Sequence, residues 1–258
     1  MAIKKLLLNV LGEKKYLSLL AGAFQRLYPT GWLGSNYQDI YFLKHIIGKG
    51  AWCVDIGAHL GYYTLELSRL TGPSGHVVAI EPMPKFNQTL QRLLQSRHAA
   101  NVTLHQVALG GDTEYVEMGI PRVGDTKKFA YARVMQYSQH YQYVESVKVK
   151  NESGDHLLRD LPRLDYIKCD VEGLEVPVFT SMLTVLDTHH PILLCELVGR
   201  PERIALFEMI RPMGYKAYRL EKSKLHRLDI DGDTVAISHN YYFIPPQHEE
   251  RLRHLIQA

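Results

Sequence analysis

The chain is poor in cysteine and tryptophan, with three and two among 258 residues. Cys53, Cys169 and Cys195 form no Cys-x-x-Cys pair, and each lies in an apolar, strand-like run. A disulfide scaffold and a cysteine-based metal or redox centre are therefore not expected. Buried free thiols in a reducing compartment are, and with them a cytoplasmic location. No apolar run approaches the roughly 20 residues that span a bilayer. The opening stretch, "MAIKKLLLNVLGEKKYLSLLAGAFQRLY", has a basic start and leucines, but Lys14 and Lys15 interrupt it and no small-residue cleavage site stands out. It reads as amphipathic helices capping a domain and not as a signal peptide; peripheral membrane contact is the alternative. Charge of one sign is also lacking: the net charge is +3 with thirteen histidines neutral, a mild bias that does not imply nucleic acid. No Gly-x-Ser-x-Gly elbow, His-Glu-x-x-His pair or phosphate-binding P-loop appears, so those hydrolytic and nucleotide chemistries have no support.

What is present is a core-forming composition, 46% apolar with 22% charged, and a regular rhythm. "YQDIYFLKHIIGKG" predicts a helix with Ile40, Leu43 and Ile47 on one face, stopped at Gly48. "AWCVDIG" predicts a short buried strand, "LGYYTLELSRLTG" a helix, "HVVAIEP" a second strand, residues 85–97 a helix, and "NVTLHQVAL" a third strand. Residues 111–150 break the rhythm with polar alternation and read as an insertion holding one or two strands around a loop. The rhythm returns with "LDYIKCD" (strand), "GLEVPVFTSMLTVL" (helix), "PILLCEL" (strand) and "RPERIALFEMIRPMG" (helix). The tail has strand–turn–strand character around Asp231-Gly232. Strands alternating with helices predict an α/β fold, a mostly parallel sheet with helices on both faces, and the tail predicts an antiparallel edge. The expected organisation is an N-terminal helical cap over 1–36 and one domain over 37–258 carrying the insertion.

"VDIGAHLGYYT" sits at the first strand-to-helix turn, on the carboxyl edge where open α/β sheets bind ligands. Gly57 and Gly61 allow close backbone approach, and the helix start offers free N–H groups. The spacing is not Gly-x-Gly-x-x-Gly, and the first glycine of that fingerprint falls at Asp55. An acid there repels phosphate and suits an amino-bearing ligand. Glu81 ends the second strand, where an acid accepts hydrogen bonds from ribose hydroxyls. Together these residues fit an adenosine-containing ligand without phosphates, for which S-adenosyl-L-methionine is the candidate.

"VDIGAHLGYYTLEL", "VVAIEPMPKFNQTL", "QVALGG", "DYIKCDVEGLEVPVF" and "PILLCEL" resemble, in order and spacing over about residues 50–198, the successive motifs of the FkbM family of S-adenosylmethionine-dependent methyltransferases. His59 replaces the asparagine usual in that pattern. The resemblance implies a Rossmann-like class I fold with a seven-stranded sheet, and methyl transfer to a hydroxyl of a sugar or natural product. It implies cofactor contacts from Asp55, Gly57, Ala58, His59, Gly61, Tyr63, Thr64, Glu81, Pro82, Ala108 and Asp170. In this fold the first, fourth and fifth strands are neighbours, so Asp55, Asp170 and Glu196 share one rim with Glu81 beside them.

Asp170 and Glu172 are the candidates for general base and substrate orientation, with Lys168 holding a carboxylate ionised. Other readings of these acids remain open. They could ligate a divalent metal through Asp170, Glu172 or Glu196; no metal is expected. Glu172 could instead cap the following helix, with Glu175 a solvated first-turn acid. The insertion sets Arg122, Lys127, Lys128, Arg133, Lys148 and Lys150 among Phe129, Tyr131, Tyr137, Tyr141 and Tyr143. Such a segment can cover the cleft and stack on a sugar or aromatic acceptor. His140 is a weaker candidate base, and "DIDGDT" reads as a strand-joining turn and not a calcium loop. The expected partner is a small hydroxyl-bearing acceptor. N-methylation of a peptide, amine or nucleic acid is the enzymatic alternative, and a non-catalytic adenosyl-binding module is the other.

Overall fold

The computed structural model describes residues 2–31, 34, 37–111, 113–124, 126–138, 140–197, 199–233 and 239–257. Residues 32, 33, 35 and 36, at the end of the expected cap, and 234–238, in the expected tail hairpin, lie outside the described residues. The first helices are α1 (Ala2–Leu27), broken at Gly12 where φ is 71°, and α2 (Gln38–Ile46). Then come β1 (Trp52–Ile56), α3 (Tyr62–Thr71), β2 (His76–Ile80), α4 (Pro84–Ser96), β3 (Val102–His105) and β4 (Ala108–Leu109). The insertion holds β5 (Tyr115–Val123), β6 (Thr126–Lys127), β7 (Arg133–Val134) and β8 (Gln142–Glu152). The chain continues through α5 (Gly154–Leu158), β9 (Tyr166–Cys169), α6 (Glu175–Thr180), α7 (Leu183–His189), β10 (Ile192–Leu197) and α8 (Arg200–Ile210). It closes with β11 (Lys216–Glu221), β12 (Lys224–Arg227), β13 (His239–Ile244), α9 (Pro246–Leu252) and β14 (Ile256–Gln257).

The main sheet runs β14-β12-β11-β13-β10-β9-β1-β2-β3. Strands β3, β2, β1, β9 and β10 are parallel, and β13 enters antiparallel against β10. The expected seven-stranded class I sheet is β3 to β11 of this order; β12 and β14 extend its edge to nine strands. Val54, Ile56, Ile167, Cys169, Leu193 and Cys195 bury one face against Val178, Phe179 and Leu206 of α6 and α8. Cys53, Val77, Tyr166, Ile192 and Leu194 bury the other against α2 and α3 through Ile40, Leu43 and Leu67. All three cysteines are free and buried.

Three local expectations are corrected. The run 101–109 does not stay in one strand: β3 pairs with β2, whereas Ala108 and Leu109 leave to pair with Asn151 and Glu152 of β8. The Gly110 N–H donating to the Glu152 carbonyl at 3.1 Å holds that departure. The helix expected over 173–186 is two helices, because Met182 leaves helical geometry at φ −135° and ψ 27°. The break is satisfied from elsewhere. The Asp155 carboxylate accepts the Thr184 and Val185 N–H groups at 3.2 and 2.9 Å, capping α7. The tail hairpin turns at Lys222–Ser223, both at positive φ (48° and 63°); the expected turn at Asp231-Gly232 is also present, between β12 and β13, but those two strands are not neighbours in the sheet. A two-residue hairpin loop of that hand needs positive φ at both positions, and here neither is glycine.

The insertion is larger than the one or two strands expected. With β4 it forms a second sheet, β4-β8-β5-β6, with β7 also on β5. One face of that sheet meets α1 and the first two strand-to-helix turns. Tyr16, Leu17 and Ala21 of α1 pack with Leu60, Met83, Phe86, Met118, Ile120 and Phe129. Lys85 draws the same elements together, 2.9 Å from Glu13 and 2.5 Å from Glu145. Leu17, 1% exposed, sits at this junction. Leu17→Ala is expected to cost about 2–5 kcal/mol of stability in chemical denaturation and to speed proteolytic cleavage within α1.

Candidate functional site

The turn after β1 is fixed by its neighbours. Gly57 and Ala58 both donate their N–H groups to the Ile80 carbonyl at 3.0 Å, tying the turn to β2. Gly57 has φ 75°, and a Cβ there would overlap the carbonyl oxygen of Asp170. The structure thus shows a close approach that requires glycine at the end of β9. Gly61 (φ 79°) lies against the Leu90 side chain in the same way. His59 also has positive φ, 48°. Asparagine and histidine are both enriched in that region, which accounts for the exchange at this position without a change of turn. Its ring packs edge-on to Phe86 at 4.4 Å. Burial pushes its pKa down to about 4, so the imidazole is neutral near pH 7, and its buried Nε2 has no hydrogen-bond partner among the described residues.

Glu81 closes β2 with its carboxylate turned inward. It accepts the His59 N–H at 2.7 Å and the Met83 N–H at 2.8 Å, joining the first two turns. Burial pushes its pKa up to about 7 against those hydrogen bonds. Asp55 is fully buried and accepts the Thr64 hydroxyl at 2.5 Å. Burial raises its pKa; Lys168 and Thr64 oppose the rise.

Lys168 projects from β9 into this acidic rim and is 6% exposed. Its Nζ donates to the Gly57 carbonyl at 3.2 Å, lies 3.4 Å from Asp170 and 3.8 Å from Asp55, and sits 5.3 Å from the Tyr63 ring centroid. Burial alone would lower its pKa, but Asp170 and then Asp55 outweigh burial and the net shift is upward. The ammonium therefore stays charged. The Asp170 side chain is 35% exposed, the most open acid of this group. Glu172, at φ 59°, reaches the other way and pairs with Arg133 of β7 at 2.5 Å. Burial, then Asp170, push its pKa up to about 8, with Arg133 opposing. The Arg133 guanidinium lies 4.6 Å from the Tyr141 ring centroid and 5.9 Å from that of Tyr131.

Glu172 does not cap α6, whose start carries no side-chain cap; Glu175, its first residue, holds the turn that leads into it. Its carboxylate accepts the Val171 N–H at 2.9 Å and the Gly173 N–H at 3.4 Å. It is 1% exposed, which corrects the expectation of a solvated acid, and burial pushes its pKa up to about 7.

These elements enclose a cavity of about 320 Å³. Of the residues expected from the sequence, Asp55, Gly57, Ala58, His59, Tyr63, Glu81, Pro82, Ala108, Lys168, Asp170 and Glu172 line it, as does Glu196. Gly61 and Thr64 are not in its wall; Thr64 reaches it only through Asp55. Phe129 and Tyr131 bring the insertion into the wall, whereas His140 stays outside it against Tyr141. The apolar lining from Met83, Phe86, Val107, Met118 and Val134 was missed. Only Met83 and Phe86 had a readable signal, their place just after Glu81. Among the described residues no group of three or more His, Cys, Asp or Glu side chains could hold a metal, and no helix is long and apolar enough to cross a membrane.

Chemically, the cavity offers an apolar slot bounded by buried carboxylates, with one half-open carboxylate held beside an ammonium. Comparison with protein families matches residues 55–231 to the methyltransferase FkbM domain. No curated protein matches the chain. Among solved structures, an FkbM methyltransferase from Methylobacillus flagellatus is 19% identical at a TM-score of 0.49, over 76% of this chain and 44% of that one. A candidate rRNA methylase from Clostridium thermocellum is 11% identical at a TM-score of 0.50, over 82% and 96%, a likeness of fold alone.

Because the folded pKa of Glu175 lies above its ordinary 4.5, the folded state binds the proton more tightly than the unfolded chain. Its contribution therefore favours folding at low pH and is lost as pH rises from about 4.5 to about 7. Glu175→Gln is expected to remove on the order of 2 kcal/mol from the stability difference between pH 5 and pH 8, read by denaturant unfolding.

Proposed function

Because the chain belongs to the FkbM methyltransferase family and is an S-adenosyl-L-methionine-dependent methyltransferase, we propose that it methylates a hydroxyl oxygen of a small sugar or natural-product acceptor, with Asp170 as the base. The observation that carries this reading is the contrast among the rim acids. Asp55 and Glu81 are buried and committed to the turns. Asp170 is partly exposed in the cavity wall, beside a lysine that keeps its charge.

The cavity suits the cofactor on its own terms. Its walls combine apolar surfaces with a buried His59 Nε2 that has no hydrogen-bond partner among the described residues, and a buried Asp55 Oδ1 whose nearest cation is Lys168 at 3.8 Å. Such atoms are costly to leave unsatisfied. When bound, S-adenosyl-L-methionine supplies a methyl group already activated on a sulfonium. Met83, Phe86 and Val107 would hold its base, and Glu81 would accept from its ribose hydroxyls with the lone pairs left beyond His59 and Met83. Asp170 accepts the acceptor's hydroxyl proton, a step typically worth about 10²–10⁴-fold. Lys168 pairs with Asp170 and donates to the Gly57 carbonyl, so base and turn hold one geometry. Tyr131, partly exposed and in the cavity wall, offers a ring face for a sugar. Residues 1–36 act in this reading as a cap that backs the insertion sheet.

Glu81→Ala is expected to weaken cofactor binding by about 1–3 kcal/mol, measured by calorimetry; unchanged affinity in a folded variant would remove Glu81 from the site. Asp170→Asn is expected to keep cofactor affinity and lower kcat by at least about 10²-fold on an acceptor found by screening hydroxyl compounds with labelled cofactor. Normal turnover by that variant would defeat the base assignment. Labelling confined to amines would redirect the reading to N-methylation, and loss of activity in EDTA restored by Mg²⁺ would make Asp170 a metal ligand.

A further inference from the structure

Helix α1 carries more apolar surface than the domain covers. Tyr16, Leu17, Ala21 and Phe24 are buried on its inner side. Val10, Leu19, Leu20 and Leu27 are 72%, 50%, 39% and 42% exposed. Among the described residues Val144 is the one other exposed large aliphatic side chain. Single exposed leucines need no explanation, but a set of them gathered on one element marks a contact surface.

The charge around that surface has one sign. Lys14, Lys15 and Arg26 are exposed along α1. Glu13, the one acid of the helix, is engaged by Lys85 at 2.9 Å and by Lys127. From Lys14 to Gly31 the chain holds no Asp or Glu. Lys15, Leu19 and Arg26 recur at helical spacing, so cations and leucine share the outer side.

The end of α1 leads to a second basic feature. Gln25, Tyr28 and Pro29 form one wall of a cavity of about 540 Å³. Its other walls are α3 and the segments that lead into β1, β2 and β3, which bring Lys49, Arg69, Arg97 and His98. The cavity therefore lies at the amino edge of the sheet, opposite the rim that holds Asp170. Arg69 is balanced by Glu66 at 2.6 Å, and Lys49 uses one donor on the Arg69 carbonyl at 3.2 Å. Lys49 and Arg97 are exposed, and no Asp or Glu is among the described residues of the wall.

Protein partners are held mainly through aromatic and arginine anchors seated in pockets. Aliphatic side chains interleaved with cations along one helix suit a different boundary, one that is hydrocarbon on one side and anionic on the other. Among the described residues no helix is long and apolar enough to cross a bilayer, so the contact is along the surface. We propose that α1 docks the protein on an anionic phospholipid surface, with Leu19, Leu20 and Leu27 at the acyl boundary, Lys15 and Arg26 among the headgroups, and the cavity at the end of the helix taking a lipid phosphate on Lys49 and Arg97. No residue of α1 lines the main cavity, so docking and methyl transfer use separate surfaces.

The test is co-sedimentation of the full chain with vesicles. Binding to phosphatidylcholine mixed with phosphatidylglycerol is expected to be at least about tenfold tighter than to phosphatidylcholine alone, and to weaken as salt rises. Leu19→Glu with Leu27→Glu is expected to weaken binding at least about tenfold. Lys15→Glu with Arg26→Glu, and separately Lys49→Glu with Arg97→Glu, are each expected to weaken it by about 5- to 30-fold. All six side chains are exposed, so an unchanged unfolding midpoint is expected and shows that each variant is folded. Folded wild-type protein that ignores the mixed vesicles, or leucine variants that bind as wild type does, would overturn the proposal. A dimer in vesicle-free solution that the leucine variants dissolve would overturn it as well, by giving the face to a second copy of the chain. Unchanged binding by the Lys49 and Arg97 variant would remove the cavity from the docking site.

Discussion

One buried ammonium ties the site together. Lys168 lies between Asp55, Asp170 and the Gly57 carbonyl. Each contact joins a different piece of chain: the end of β1, the end of β9 and the turn between β1 and α3. Two carboxylates this close, one of them fully buried, would repel each other without the lysine. Removing one member of such a buried set leaves an uncompensated charge and is far costlier than the set is favourable. The geometry of the rim is therefore over-determined, which a site that must align a nucleophile with a methyl group requires.

Around that rim the two sheets divide the work. The main sheet contributes the polar groups, because the ends of parallel strands are where its chain emerges from the core. The second sheet contributes Met118, Phe129 and Val134, and so the apolar closure. Arg133 links the two sheets through Glu172, with Tyr131 and Tyr141 beside its guanidinium. Glu172 holds a positive φ, a conformation worth of order 1–3 kcal/mol of strain for such a residue. The surrounding contacts sustain it, and the strained residue lies next to the half-open acid.

The acids of this rim differ by environment more than by residue type. Asp55, Glu81 and Glu175 are buried and serve backbone N–H groups, a hydroxyl or the lysine. Asp170 keeps partial access to solvent. Four carboxylates within a short span of the fold thus take separate parts, three in holding the turns and one in facing the cleft.

How much of this was legible in the sequence follows from range. The alternation of apolar runs and helical periods made the α/β sheet readable, since period and burial are local properties. The turn at Gly57, the acid at Glu81 and the rim acids were readable because strand ends in such a sheet converge on one edge. The break at Met182 was not, because its cap comes from Asp155 in another element. Nor were the burial of Glu175 and the pairing of Glu172 with Arg133, since both acids stand at the turn into α6 and only packing tells them apart. The reason for glycine at 57 likewise lies in Asp170, a neighbour across the sheet. The sequence by itself determined which strands form, where they end and which acids stand there. Tertiary structure alone decided which acid is buried, which stays open and what walls the cavity, because burial and partnership depend on chain segments far apart in sequence.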